Sequence, residues 1–386
     1  MRDVTPSGIE GDLAFVIACA APPSRVDRRR QVELARSVSW SRVERLANLH
    51  LVRPLLLRRA AALAPRQIRE RWAVELRQIG LRTLGLTSAL IAVTRSLQKA
   101  GIPTLPHKGP VLALAAYGEI GLRECADLDL LVPEDRLAEA LAVLARAGYA
   151  RDTDLAWLSA SALRRWTGEV SCRSAQAVKV DLHWRFTPPH YPLQLDPKWI
   201  WPNLRPLRLA GAELPALGPE AHFLVLAVHG AKHAWAGLGW VTDLAWLIDA
   251  GFDWSAAEAL AAKAGCLRVF RLAAVLARQV FGSPIPDGLA RAAARDRGLS
   301  RLAARVQARW LQSPATPVGS GELLSFVATL DPRPLVLARH LIGLATHPTE
   351  GDWRAFRLPE NRFALYAPGR LGRFVARPFA RVDMLR

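Results

Sequence analysis

The sequence predicts an α+β fold in which a small mixed sheet is preceded and followed along the chain by helices. Three observations predict it. Apolar residues recur at helical spacing through residues 1–95, the pattern breaks into short alternating runs between Gly101 and Trp184, and the helical period returns from Pro219 to about Leu330. These changes divide the chain into an N-terminal helical region (1–95), a mixed core (96–215), a C-terminal helical domain (216–330) and a basic Arg- and Pro-rich tail expected to pack on the rest (331–386).

The elements follow in order. Val43, Leu46, Ala47, His50 and Leu51 keep a helix spacing that Pro54 interrupts, because proline lacks an N–H and its ring clashes with the preceding turn. Leu81–Leu97 is a second amphipathic stretch, closed by Gly101. Ile102–His107 is a short strand candidate. Pro110 suits the first turn of a helix, where its missing N–H costs nothing, and Val111, Leu112, Leu114, Ala115 and Tyr117 continue that helix to Gly118. Leu128, Leu130 and Val132 alternate with Asp127, Asp129 and Leu131, which is a strand signature. Leu137–Ala147 reads as a helix ended by Gly148. Ala177–Trp184 alternates again, with Val178, Val180 and Leu182 on one face and Lys179, Asp181 and His183 on the other.

Of the 386 residues 51% are hydrophobic and 22% charged, which excludes wholesale disorder. The net charge of +18 is uneven: +9 over 1–95, +1 over 96–215, +3 over 216–330 and +5 over 331–386. Acids thus collect in the core between basic flanks, a balance that suits an anionic substrate, a nucleic acid or a membrane surface. Solvated arginine faces on ordinary helices would give the same numbers. No membrane span is expected, because no run of 18 uncharged apolar residues occurs. Leu13–Ala20 is apolar, but Glu10 and Asp12 precede it where a signal peptide needs positive charge, so a cytoplasmic protein is expected. Cys19, Cys125, Cys172 and Cys266 lie far apart, without metal spacing or a disulfide framework.

The chemistry concentrates in His107-Lys108-Gly109, Arg123 and Asp127-Leu128-Asp129. Aspartates at i and i+2 of a strand share a face, so their oxygens can converge on a divalent cation while Leu128 and Leu130 bury the other face. Asp181 faces opposite to Val180 and Leu182. If the two strands are neighbours, three carboxylates converge, a set that suits Mg²⁺ ions clamping a triphosphate for in-line displacement. Gly109 stands at a strand-to-helix turn, where glycine lets the backbone approach a phosphate and a helix N-terminus favours anions. His183 reads equally as a satisfied strand histidine beside Trp184. His229 and His233 stand four apart on one helix, but Gly230 occupies the place of the Glu in H-E-x-x-H, so zinc is not expected there. With Lys232 they suit the wall of a cleft, Lys232 or His233 reaching phosphate, or else pack against Trp240 and Asp243. No G-x-S-x-G elbow, phosphate-binding P-loop or dinucleotide fingerprint is present.

In this order the motifs resemble the DNA polymerase β-like nucleotidyltransferase superfamily, and within it an uncharacterised bacterial nucleotidyltransferase family. The resemblance runs through Leu105–Gly109, Tyr117, Gly121–Arg123, Asp127–Val132, Ala147–Tyr149 and Asp181–Trp184, then His229, Lys232-His233, Trp235 and Asp243. It closes with His347-Pro348-Thr349, Asp352-Trp353, Leu358-Pro359, Tyr366 and Arg370. It implies Asp127 and Asp129 as metal ligands, Asp181 as third ligand and activator of an acceptor hydroxyl, and Lys108 or Arg123 as neutralisers of phosphate charge. The chain departs from the superfamily at Pro110, where Gly or Ser is usual. The proline removes one N–H from the phosphate cradle and shifts nucleotide contacts onto side chains.

The expected reaction is Mg²⁺- or Mn²⁺-dependent transfer of a nucleoside monophosphate from an NTP to a hydroxyl-type acceptor on a small molecule, sugar, peptide or protein, in a biosynthetic tailoring role. The rivals are an RNA- or tRNA-modifying enzyme of toxin type, with which the +18 charge agrees, and a degenerate nucleotide-binding module.

Overall fold

The computed structural model describes residues 8–151, 155–312 and 318–370. The described residues within Met1–Thr87, Gly109–Cys125 and Leu217–Thr316 form one compact unit, and those within Ser88–Lys108, Ala126–Ala216 and Pro317–Arg386 form a second. Residues 371–386 of the basic tail lie outside the described residues.

The first unit opens with α1 (Gly8–Ala20), α2 (Arg28–Ala35), α3 (Trp40–Leu49) and α4 (Arg53–Arg59). Leu13, Phe15, Val16 and Cys19 are buried, so the apolar run at the chain's start is a core helix, packed on α2, α3 and α4. Pro54 lies in the first turn of α4. The interruption is therefore a new helix start, the position where proline loses no hydrogen bond. The stretch expected at Leu81–Leu97 is the end of a longer helix, α5 (Arg66–Lys99), 34 residues that supply both units. Its first half was illegible because Arg-rich turns around few apolar residues blur the period. Gly101 follows it with φ +70°. The next helix, α6 (Gly109–Tyr117), begins at Gly109 with φ +59°, a backbone that side chains other than glycine's adopt only with strain.

In the second unit a five-stranded mixed sheet is built from β1 (Leu105–Pro106), β2 (Leu128–Leu131), β3 (Tyr149–Arg151), β4 (Glu169–Ser174) and β5 (Lys179–His183), in the order β1-β2-β5-β4-β3. Strands β2 and β5 pair in parallel and the other pairs are antiparallel. Between strands stand α7 (Leu137–Arg146), closed by Gly148 at φ +86°, and α8 (Ala160–Trp166). The hairpin β6 (Arg205–Leu209) and β7 (Ala212–Ala216) forms a separate two-stranded sheet.

The first unit resumes with α9 (Pro219–Lys232), α10 (Leu238–Asp249), α11 (Trp254–Lys263), α12 (Leu267–Phe281), α13 (Asp287–Arg295) and α14 (Arg297–Gln312). The second unit ends with α15 (Ser320–Leu330), α16 (Pro334–Thr346) and α17 (Glu350–Ala355). The fold is α+β, mostly helical, with a small mixed sheet as the sequence predicts. Among the described residues no helix is long and apolar enough to cross a membrane, and the four cysteines are buried and form no disulfide.

Candidate active site

The site begins with sheet register. Across the parallel β2/β5 ladder Asp129 is opposite Asp181 and Leu131 opposite His183, and across the antiparallel β4/β5 ladder Ser171 is opposite Asp181 and Glu169 opposite His183. Register partners share a face, and side chains along a strand alternate. One face therefore gathers Asp129, Asp181, His183, Lys179, Ser171 and Glu169. Leu128, Leu130, Val170, Cys172, Val180 and Leu182 bury the other. Asp127 stands one residue before β2, on the polar side.

The charges on this face are paired in two groups. Asp129, buried at 7% exposure, takes Lys108 Nζ at 2.9 Å and His183 Nε2 at 3.0 Å, both on Oδ1. Its carboxyl is held well below the usual range: burial pushes it up, but Lys108, His183 and His107 outweigh that. The other ring nitrogen of His183, Nδ1, lies 2.9 Å from Glu169 Oε2, an ionic approach without hydrogen-bond alignment. Burial lowers the His183 pKa, but the two carboxylates win and raise it to about 9, so the ring is an imidazolium at neutral pH.

In the second group Lys179 Nζ lies 2.7 Å from Asp181 Oδ2 and 3.7 Å from Asp127 Oδ2, while Ser171 donates to Asp181 Oδ1 at 2.6 Å. One ammonium touching both carboxylates limits how far apart Asp127 and Asp181 can lie. Asp127 has its pKa raised, first by burial and then by the charges of Asp129 and Asp181, with Lys179 and Lys108 opposing. Asp127 thus feels the charges of Asp129 and Asp181, although oxygens of the three aspartates do not all lie within 4.8 Å of one another.

The donor chemistry fits a divalent cation. The carboxylates of Asp127 and Asp181 are hard oxygen donors of the kind a divalent cation takes, and burial, then the charges of Asp129 and Asp181, raise the Asp127 pKa. A second donor set is also present: ligand atoms of His107, Asp129 and His183 lie within 4.8 Å of one another. It is the one such cluster among the described residues. There Lys108 and the His183 proton already supply cationic charge to Asp129.

The remaining sequence candidates belong to the first unit. Arg123, expected to neutralise phosphate charge, pairs with Asp243 of the same unit. Its Nε donates to both oxygens of Asp243, at 3.0 and 3.2 Å, and Tyr117 Oη donates to the same carboxylate at 2.7 Å. These groups are buried or nearly so, and Tyr117 stacks on Trp246 at 4.5 Å. The result is a buried knot joining α6 and the turn after it to α10. His229 and His233 meet edge to face at 4.7 Å, and His233 stacks on Trp240 at 5.0 Å. Lys232 is the last residue of α9 and His233 its C-cap. The closing motif is also structural: Thr349 and Asp352 form a capping box on α17, and buried Arg370 donates to Asp352 at 2.5 Å.

Sequence reasoning missed Glu169 and Lys179 as site residues and left His107 without a role. Glu169, Ser171 and Arg173 do alternate with Val170 and Cys172, a strand signal that was readable.

The chain belongs to a family of uncharacterised nucleotidyltransferases, which matches residues 36–282 and so includes the whole polar face and the Arg123–Asp243 knot. Among solved structures it is similar to an antigenic nucleotidyltransferase-like protein from Paracoccidioides brasiliensis, at 12% identity and a TM-score of 0.35, over 52% of this chain and 93% of that one. No curated protein matches the chain significantly.

Proposed function

We propose that this protein transfers a nucleoside monophosphate from an NTP to a hydroxyl-type acceptor, in the manner of the bacterial DNA polymerase β-like enzymes, with Mg²⁺ or Mn²⁺ held by Asp127, Asp129 and Asp181. The observation that carries the reading is the register of β2 and β5, which sets Asp129 beside Asp181 with Asp127 at the mouth of the same face. When bound, the cation would neutralise triphosphate charge and polarise the reacting oxygens. Asp181, fixed by Ser171, is placed to take the acceptor proton as the acceptor oxygen bonds to the α-phosphorus and pyrophosphate leaves. Lys108, at the Gly109 turn, supplies cationic charge for phosphate. His183, braced by Glu169, holds Asp129 ionised and in one orientation. Arg123 and Asp243 act by anchoring the helix that follows Gly109. Lys232, His233 and His229 are candidate contacts to the nucleotide. A hydroxyl on a small molecule, sugar, peptide or protein, modified in a biosynthetic step in the cytoplasm, fits this chemistry.

The test is release of pyrophosphate from each NTP, with Mg²⁺ or Mn²⁺ and pools of acceptors, by the full chain and by Asp127→Asn. Metal-dependent release that the variant lacks supports the reading. Equal release by both proteins removes Asp127 from the mechanism. The +18 charge is compatible with one other acceptor, RNA. RNA binding that falls steeply with salt, and label transfer to RNA ends, would select it.

A further inference from the structure

The polar face carries a cation to which the reaction above gives no role. Lys179 opens β5, two residues before Asp181, and its ammonium lies between Asp181 Oδ2 at 2.7 Å and Asp127 Oδ2 at 3.7 Å. A divalent ion shared by these two carboxylates needs oxygens at about 2.1 Å from itself. The space it requires is therefore the space the ammonium holds. Both cannot remain, because like charges this close repel strongly in a half-buried site. The ammonium is also the more easily moved of the two. It rides on a four-carbon stem and is 30% exposed, whereas Asp181 is 13% exposed and fixed from its other oxygen by Ser171.

We propose that Lys179 is a phosphate-binding residue that occupies the divalent cation's place between Asp127 and Asp181, and that turns onto the nucleotide's phosphates when the cation enters. The strand keeps the stem on the polar face, so the displaced ammonium remains beside the carboxylates. A compact ammonium pairs with phosphate as a point charge and needs no fixed fork geometry. Two carboxylates against one ammonium leave the metal-free place one charge short of neutral, and the divalent ion reverses that sign. Only then is the site attractive to a polyanion, and Lys179 is the local cation released at that moment. Its phosphate half rests on the nucleotidyl-transfer reading, and its cation half does not.

Lys179→Met and Lys179→Arg separate the possibilities, with Mn²⁺ alone followed by electron paramagnetic resonance and a non-hydrolysable NTP analogue followed by calorimetry. Loss of a competing ammonium should tighten Mn²⁺ binding by Lys179→Met several-fold. The same variant should bind the Mn²⁺–analogue complex at least about tenfold more weakly, and Lys179→Arg should recover most of that loss. Unchanged or weaker Mn²⁺ binding by Lys179→Met overturns the cation half and makes the residue a fixed structural partner of Asp181. Tighter Mn²⁺ binding with unaltered analogue binding overturns the phosphate half. A wild-type chain that binds Mn²⁺ but no nucleotide overturns the nucleotidyl-transfer reading and the phosphate half together, while the Mn²⁺ comparison still decides the cation half.

Discussion

His183 Nε2 lies 3.0 Å from Asp129 Oδ1, reaching across the parallel strands from two residues beyond the Asp129–Asp181 register pair. With Glu169 2.9 Å from its other nitrogen, the ring is held between two acids and keeps its proton above neutral pH. The folded pKa of about 9 exceeds the usual 6.5, so this group contributes stability that is complete below pH ~6.5 and is lost as pH rises through about 9. Melting temperature measured from pH 6 to 10 should fall more steeply for the wild type than for His183→Gln. Parallel curves would show that the ring is not charged.

The pKa of Asp129 is shifted in the opposite direction to that of Asp127. Its folded pKa is depressed, so its stabilisation is present above the unfolded value and lost as pH falls through the folded one. Asp129→Asn leaves Lys108 and His183 facing a neutral amide in a buried place. A loss of about 3–5 kcal/mol is expected, read by denaturant or thermal unfolding, along with loss of pyrophosphate release.

Asp127→Asn should abolish the same reaction without that loss. Its folded pKa is raised, so ionised Asp127 opposes folding increasingly as pH rises from the unfolded pKa through the folded one. At pH 7 without metal the variant should melt at or slightly above the wild-type temperature. Mn²⁺ should raise the melting temperature of the wild type and leave that of the variant nearly unmoved. A variant that unfolds in the absence of metal would make Asp127 a structural residue.

The Arg123–Asp243 pair is buried, so removing one partner costs more than removing both. Asp243→Asn, which strands Arg123 and weakens the bond from Tyr117 Oη, should destabilise by about 3–5 kcal/mol. The double variant Arg123→Met/Asp243→Leu should be less destabilised than the sum of the single changes. Additive losses in that cycle would show that the two residues do not act as a pair.

Local pattern carried the main features of the site into the sequence. Asp127, Asp129 and Asp181 were legible because a two-residue alternation with leucine and valine both marks a strand and fixes a face. What joins those strands was not legible. Glu169 meets His183 only through the antiparallel register of β4, and Lys179 meets Asp127 only because β5 runs parallel to β2. Such pairings are decided by the packing of the whole sheet. Arg123 was read as a neutraliser of phosphate charge, but the partner it has in the structure stands 120 residues later on α10, with no local mark to join them. The helix α5 was half-read for a different reason: a long helix with arginines on several faces hides its period until it is packed.

Strand β2 lies inside the sheet, paired with β1 on one side and β5 on the other, and all four of its residues are buried. Its amides should therefore exchange with deuterium only through the rarest openings of the second unit, and Asp129 rides on the slowest part of the protein. Lys108 and Lys179, by contrast, come from a turn and from the start of a strand on long stems. The site is accordingly divided between an acid frame fixed by the sheet and ammonium groups on stems that rotamer changes can redirect.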